Sequence, residues 1–207
     1  MRRPTPSLQC VGVWLLLVAV LPATAGVRIN EIHYRPKNES TEEEFIELWN
    51  HSEKTVSLAG WRLDRGVDFS FTNQVLPPDT GLVIASNPRR LAGQHPNLKN
   101  IAGPWNGRLG NNGELIRLID ASGKTVDKVR YATEGNWSRR VRGSLQEGHR
   151  GWVWHSRHDA GGRSLELRQP DLPSGHGQNW ATSQTDGGTP GIKNSVHTDD
   201  LPPMILE

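Results

Sequence analysis

The sequence predicts an all-β sandwich, on three observations. From Asn30 onward, short runs rich in β-branched and aromatic residues follow one another at close spacing, each closed by turn chemistry. No apolar stripe of 3.6-residue period extends over twelve or more residues, so major helices are not expected. Glycine (22) and proline (14) are frequent among the 207 residues, as suits a chain that turns often.

Residues 27 to 34 read as the first strand and carry Asn30-Glu31-Ile32-His33-Tyr34. Phe45-Ile46-Glu47-Leu48-Trp49-Asn50 is apolar on both faces, so this second strand is expected to lie centrally between two layers. In Leu58-Ala59-Gly60-Trp61-Arg62-Leu63, Gly60 permits a tight bend, because glycine takes positive φ without penalty. Residues 68 to 71 alternate polar and apolar. After Leu76, the segment Pro77-Pro78-Asp79-Thr80-Gly81 turns the chain into Leu82-Val83-Ile84-Ala85, a buried strand. Residues 86 to 104 read as a long, irregular, polar surface excursion. Asn111-Asn112-Gly113 is a turn signal before a strand over 114 to 119. Asp120-Ala121-Ser122-Gly123-Lys124 then turns into residues 125 to 131, where Val126, Val129 and Tyr131 stand among charged residues. These last two runs are expected to pair as a hairpin.

The first 25 residues are set apart. Arg2 and Arg3 precede an apolar run over 11 to 21, and Ala23-Thr24-Ala25 supplies a small-x-small cleavage site. The run is too short to span a bilayer and suits the core of a signal peptide. Cys10 lies before that core, not at its end, which argues against a lipoprotein cleavage site. The expectation is a secreted chain (extracellular, cell surface or periplasm) with no stable membrane insertion after cleavage. Removal of residues 1 to 25 takes away the single cysteine, so stability cannot rest on disulfides. It also removes the two arginines that make up the formal net charge of +2. The remaining chain has balanced charge, and any preference for a charged partner must come from local patches.

In this order the segments resemble the lamin tail domain, an immunoglobulin-like β-sandwich found in nuclear lamins and in secreted bacterial proteins. The resemblance is carried by Asn30-Glu31-Ile32, Phe45 through Asn50, Leu58 through Leu63 and Leu76 through Ala85. It continues through Leu109-Gly110-Asn111-Asn112-Gly113-Glu114 and Gly123 to Tyr131. Gly162-Arg163-Ser164-Leu165-Glu166-Leu167, Asn179-Trp180 and Gly187-Gly188-Thr189-Pro190-Gly191 are similar to the closing pattern of the bacterial form. The expected organisation is a signal peptide over 1–25 and a lamin tail-like domain over 26–195. Within it lie a core (27–131), a basic, Trp-bearing excursion (132–162) and a closing segment (163–195). Residues 196–207 read as a linker or the start of a further domain, Pro202-Pro203-Met204-Ile205-Leu206 resembling a first strand, with docking back onto the sandwich as the alternative. The resemblance implies a binding or structural module with no catalytic residues and no cofactor.

A search for chemistry agrees. Without cysteine after cleavage, thiol nucleophiles and zinc–thiolate sites are excluded. No His-Glu-x-x-His, phosphate-binding Gly-Lys-Ser loop or Gly-x-Ser-x-Gly elbow occurs. His155-Ser156-Arg157-His158-Asp159 holds two imidazoles and a carboxylate, but Arg157 between them opposes a divalent ion, so a solvated polar loop is expected. Glu42-Glu43-Glu44 lacks calcium-loop spacing and reads as a solvated loop too. Glu47, inside an apolar strand, is expected to find an ion pair or hydrogen bond from a neighbouring strand. Three Asn-x-Ser sequons, at Asn38, Asn50 and Asn136, are glycan acceptors in a eukaryotic secretory pathway; the bacterial character of the tail pattern argues against that here, and Asn50 reads as tied to a strand end.

Residues 139 to 168 form the patch of most interest, where seven arginines stand against three acids. Trp137, Trp152 and Trp154 lie in or beside it. Arginine offers forked donors to sulfate, phosphate or carboxylate, and tryptophan stacks on a sugar or base. The candidate binding residues are Trp137, Arg139, Arg140, Trp152, Trp154 and Arg157, with extracellular polysaccharide or another protein domain as partner. The competing expectation is that Trp152 and Trp154 cover the sandwich while the arginines solubilise a loop. The function expected is a non-catalytic exported module for adhesion, scaffolding or targeting; a carbohydrate- or polyanion-binding module is the alternative. A metal-dependent hydrolase, or its accessory subunit, requires His155, His158 and Asp159 to converge with His33 or Glu47.

Overall fold

The computed structural model describes residues 26–201. The signal peptide expected over 1–25 and the apolar run after Pro202 lie outside the described residues. In chain order the strands are β1 (Val27–His33), β2 (Phe45–Asn50), β3 (Val56–Ser57), β4 (Arg62–Asp64), β5 (Val67–Ser70), β6 (Val75–Leu76) and β7 (Thr80–Ala85). A helix, α1 (Pro88–Gln94), precedes β8 (Ile101–Ala102), β9 (Asn106–Gly107), β10 (Leu115–Ile119) and β11 (Thr125–Arg130). The last four are β12 (Arg139–Arg142), β13 (Trp152–His155), β14 (Leu165–Leu167) and β15 (Trp180–Thr182).

Two sheets make the sandwich. One has six strands in the order β15-β14-β1-β2-β7-β8, and the other five, in the order β11-β10-β4-β5-β9. Between them Ile29, Ile46, Leu48, Leu82 and Ile84 meet Leu63, Val67, Ile116, Leu118 and Val129 in one core. Ile29 and Ile32 both enter that core although three positions apart, because the register of β1 against β2 shifts between Ile29 and Glu31. The expected hairpin over 114 to 131 is present, with Ile116 opposite Val129. Gly60 bends at φ 77° before Trp61, as its position predicts.

Every residue of β2 is buried because the six-stranded sheet is covered on both sides. Its outer face bears Phe45, Val83 and Ala85, which pack with Leu91, Leu98 and Ile101 in a second cluster. Thus the segment 86–104 is not an irregular surface excursion. Asn87 accepts the Arg90 N–H at 3.1 Å and Pro88 opens α1, whose Leu91 is buried. The helix has only about two turns, below the length at which periodicity is readable. The second sheet's edge is tied to the first by Asp127, which accepts Ile29 N–H at 2.9 Å.

The solvated loop expected at Glu42-Glu43-Glu44 holds for Glu42 alone. Thr41–Glu43 is a 3-10 turn in which Glu43 takes two bonds from Arg90, at 2.9 and 2.5 Å. Glu44 is buried and accepts Leu109 N–H at 2.9 Å; burial pushes its carboxyl up to about 7. Neither is a solvated carboxylate. Asn50, the central sequon, is fully buried and donates to the carbonyls of Lys54 and Leu76, so it is closed to modification.

Candidate functional site

The excursion after Tyr131 forms a separate two-stranded ribbon, β12 paired with β13. At its root, Ser138 and Ser156 both donate to Thr133 C=O, at 2.5 and 2.8 Å, fixing where the ribbon leaves the sandwich. The pairing puts Arg139 opposite His155, Arg140 opposite Trp154, Val141 opposite Val153 and Arg142 opposite Trp152. Since side chains alternate along a strand, Arg140, Arg142, Trp152 and Trp154 share one face, and Arg139 and His155 lie on the other. The guanidinium of Arg140 lies 5.5 Å from each of the Trp152 and Trp154 rings, and that of Arg142 lies 4.3 Å from Trp152. This is a ladder of alternating planar cations and indoles.

Trp152 is 52% exposed and Trp154 40%, so neither covers the sandwich. Trp137 is different. Its ring packs 6.0 Å from that of the buried Trp180 and against the core, so it anchors the ribbon and does not belong to the exposed face. Gly177 makes room for it, since a Cβ there would stand 2.9 Å from the Trp137 ring. Arg157 follows β13 and points to Asp186 at 3.4 Å. Of the six candidate binding residues, then, Arg140, Trp152 and Trp154 share a face. Arg139 and Arg157 instead line a cleft of about 360 Å3 at the ribbon's root, with Trp137, His155, Arg163 and Trp180.

The potential metal ligands do not converge. His158 is fully buried, not part of a solvated loop. One ring nitrogen lies 2.9 Å from Trp137 C=O and the other 2.8 Å from the Tyr34 hydroxyl. The carbonyl requires Nε2 to carry the proton, leaving Nδ1 to accept from Tyr34. Burial pushes this imidazole down to about 4, so it stays neutral and bridges core to ribbon. Asp159 is paired with Arg35 at 2.7 Å, and His155 is exposed on the ribbon. His33 packs beside Phe45, ring centroids 5.3 Å apart. Among the described residues no group of three His, Cys, Asp or Glu side chains is placed to hold a metal ion.

A cluster absent from the expectations lies on the outer face of the six-stranded sheet. Glu31, Glu47 and Glu166 occupy adjacent strands in register, Glu31 opposite both of the others, and all are fully buried. The segment after Gly187 covers them. Thr189 N–H donates to Glu31 at 2.8 Å, its hydroxyl to Glu166 at 2.8 Å, and Gly191 N–H to Glu47 at 2.7 Å. Asn30 adds a bond to Glu47 at 2.9 Å, and Ser195 one to Glu166 at 2.8 Å. Glu47 thus gains the hydrogen bond expected from a neighbouring strand, without an ion pair. Gly188, at φ 83°, lies so close to Glu31 that any Cβ would collide with its carboxylate. Burial, then repulsion from Glu47 and Glu166, pushes the Glu31 carboxyl well above its usual range. Burial likewise raises Glu47 to about 8. No substrate reaches carboxylates so enclosed; their role is to clasp the closing segment. The chain stays attached as far as Thr198, whose N–H meets Arg168 C=O at 3.1 Å.

Two facing sheets and a hairpin at one edge define an all-β, immunoglobulin-like sandwich. Residues 21–133 match the Lamin Tail Domain family, and this stretch is more than half of the chain. The chain belongs to that family. No curated protein matches it. The ribbon, the cleft and the strands β14 and β15 all follow the matched residues.

Proposed function

We propose that this chain is an exported, non-catalytic targeting module that binds anionic polysaccharide through the Arg–Trp face of the β12–β13 ribbon. The observation that carries it is the ladder of Arg140, Arg142, Trp152 and Trp154, exposed on an element that contributes nothing to the core. Soluble proteins keep large aromatic side chains in the open mainly where they meet a partner. The cation–indole contacts hold the guanidiniums beside the rings, where their N–H groups suit sulfate or carboxylate while ring faces suit sugars. The signal-peptide pattern of residues 1 to 25 and the resemblance of the closing segment to the secreted bacterial form support the setting.

The test is binding of residues 26 to 207 to anionic and neutral polysaccharides and to DNA, at low and moderate salt, beside Trp152→Ala/Trp154→Ala. Binding to sulfated or uronic-acid polymers that weakens with salt and is lost in the double variant is expected. Failure to bind any polymer, or equal binding by the variant, removes the proposal. A preference for DNA over every polysaccharide also counts against it.

A further inference from the structure

We propose that the cleft at the root of the ribbon docks an extended, acidic peptide segment of a partner protein, which adds as a further strand to the free edge of β15. This surface is separate from the Arg–Trp face, and the proposal stands without the polysaccharide reading.

The edge comes first. β15 ends the six-stranded sheet and is paired on one side only, with β14. Ala181 stands opposite Glu166, while Arg168 N–H meets Asn179 C=O at 2.8 Å and Ser183 N–H meets Ser164 C=O at 2.9 Å. Residues 179, 181 and 183 therefore turn their backbone groups toward β14. By the alternation of an antiparallel ladder, Trp180 and Thr182 turn theirs outward. Trp180 N–H closes the preceding 3-10 turn on Gly177 C=O. Trp180 C=O and both Thr182 groups are left without a backbone partner among the described residues. Ala181, Thr182, Ser183 and Gln184 line the cleft.

Charge then selects the occupant. Arg139, His155, Arg157 and Arg163 line the same cleft. Among the described residues the one carboxylate that meets any of them is Asp186, held by Arg163 at 2.8 Å and Arg157 at 3.4 Å. Arg139 has no carboxylate partner among the described residues. The floor is apolar, made by the indoles of Trp137 and Trp180. The volume, about 360 Å3, falls within the usual range of ligand clefts, roughly 300–1,000 Å3.

An extended peptide fits each of these features at once. Its backbone supplies the donor for Trp180 C=O and the donor–acceptor pair for Thr182. Its side chains alternate, so one set meets the arginines as carboxylates while the other rests on the indole floor. A polymer without a peptide backbone satisfies the arginines and leaves the strand edge to water.

Residues 26 to 207 are panned against displayed random octapeptides, and enriched peptides are titrated by fluorescence anisotropy. The variants are Thr182→Pro, Arg139→Glu and Trp152→Ala/Trp154→Ala. Thr182→Pro removes an N–H that has no partner among the described residues, on an edge strand where proline is tolerated. Slowed exchange of the Thr182 amide on peptide addition gives a second readout in the unaltered protein, should that variant misfold. Expected are peptides rich in Asp or Glu among β-prone residues, weakened about tenfold by Thr182→Pro and by Arg139→Glu, and unaffected by the Trp double variant. A neutral or basic consensus, no enrichment, full affinity in Thr182→Pro, or no protection of Thr182 overturns the proposal. Loss confined to the Trp double variant moves the peptide to the Arg–Trp face and overturns it as well.

Discussion

Glu31, Glu47 and Glu166 show how far a single residue can be read without its neighbours. Glu47 announces itself as a charge inside an apolar run, and its need for a partner was legible. Glu31 and Glu166 sit in strands that alternate, so each passes for an ordinary solvent-facing residue. Only the second cover over the sheet, made by α1 and the closing segment, turns them inward. Their pH behaviour follows. The folded Glu47 carboxyl titrates at about 8 and Glu31 is raised as well, against about 4.5 when unfolded. On these two groups the folded state holds more protons, whereas the buried imidazoles of His33, His51 and His158, pushed down to about 4, oppose them below about 6.5; between about 6.5 and about 8 stability is therefore expected to fall as pH rises. Urea unfolding followed across this range measures the slope. Glu31→Gln should flatten it: one oxygen accepts both Ser164 and Thr189, leaving the other position for an amide. Stability that rises toward pH 8 in the unaltered chain contradicts this account.

At the scale of elements, what was legible depended on length and on turn residues. The second strand, the Gly60 bend and the 114–131 hairpin follow from local chemistry and are present. Helix α1 has the signal of a capping asparagine followed by proline, yet only Leu91 marks its buried face. Removing the cap with Asn87→Ala should cost about 1 kcal/mol, and Leu91→Ala about 2–5 kcal/mol, both read from chemical denaturation. The ribbon's composition was legible and its geometry was not, because nothing local says whether Trp152 faces the core or the solvent. A lone two-stranded ribbon is marginal in water. Amide exchange in β12 and β13 is therefore expected to be much faster than in β2, and faster still in Arg140→Ala, which removes the cation between two indoles.

For the whole molecule, the sandwich and the ribbon divide stability from recognition. Replacing residues 141 to 153 by an Asn-Gly turn should leave the thermal midpoint within about 4 °C of the unaltered chain, since none of that stretch belongs to the core. A larger fall, measured by calorimetry, means that the ribbon supports the sandwich after all. The closing segment is the opposite case: its backbone donors are the lid over the buried carboxylates, and the motif Gly187-Gly188-Thr189-Pro190-Gly191 was recognisable without its purpose being so.

The placement of β1 has a consequence in time. β1 lies between β2 and β14, with Glu31 opposite both Glu47 and Glu166. A chain made from its N-terminus pairs β1 early on one side and must wait for the far more distant β14 on the other. Until residues near 167 have been synthesised, β1 in the middle of the larger sheet has an open border. Folding is therefore expected to be slow and governed by contacts distant in sequence.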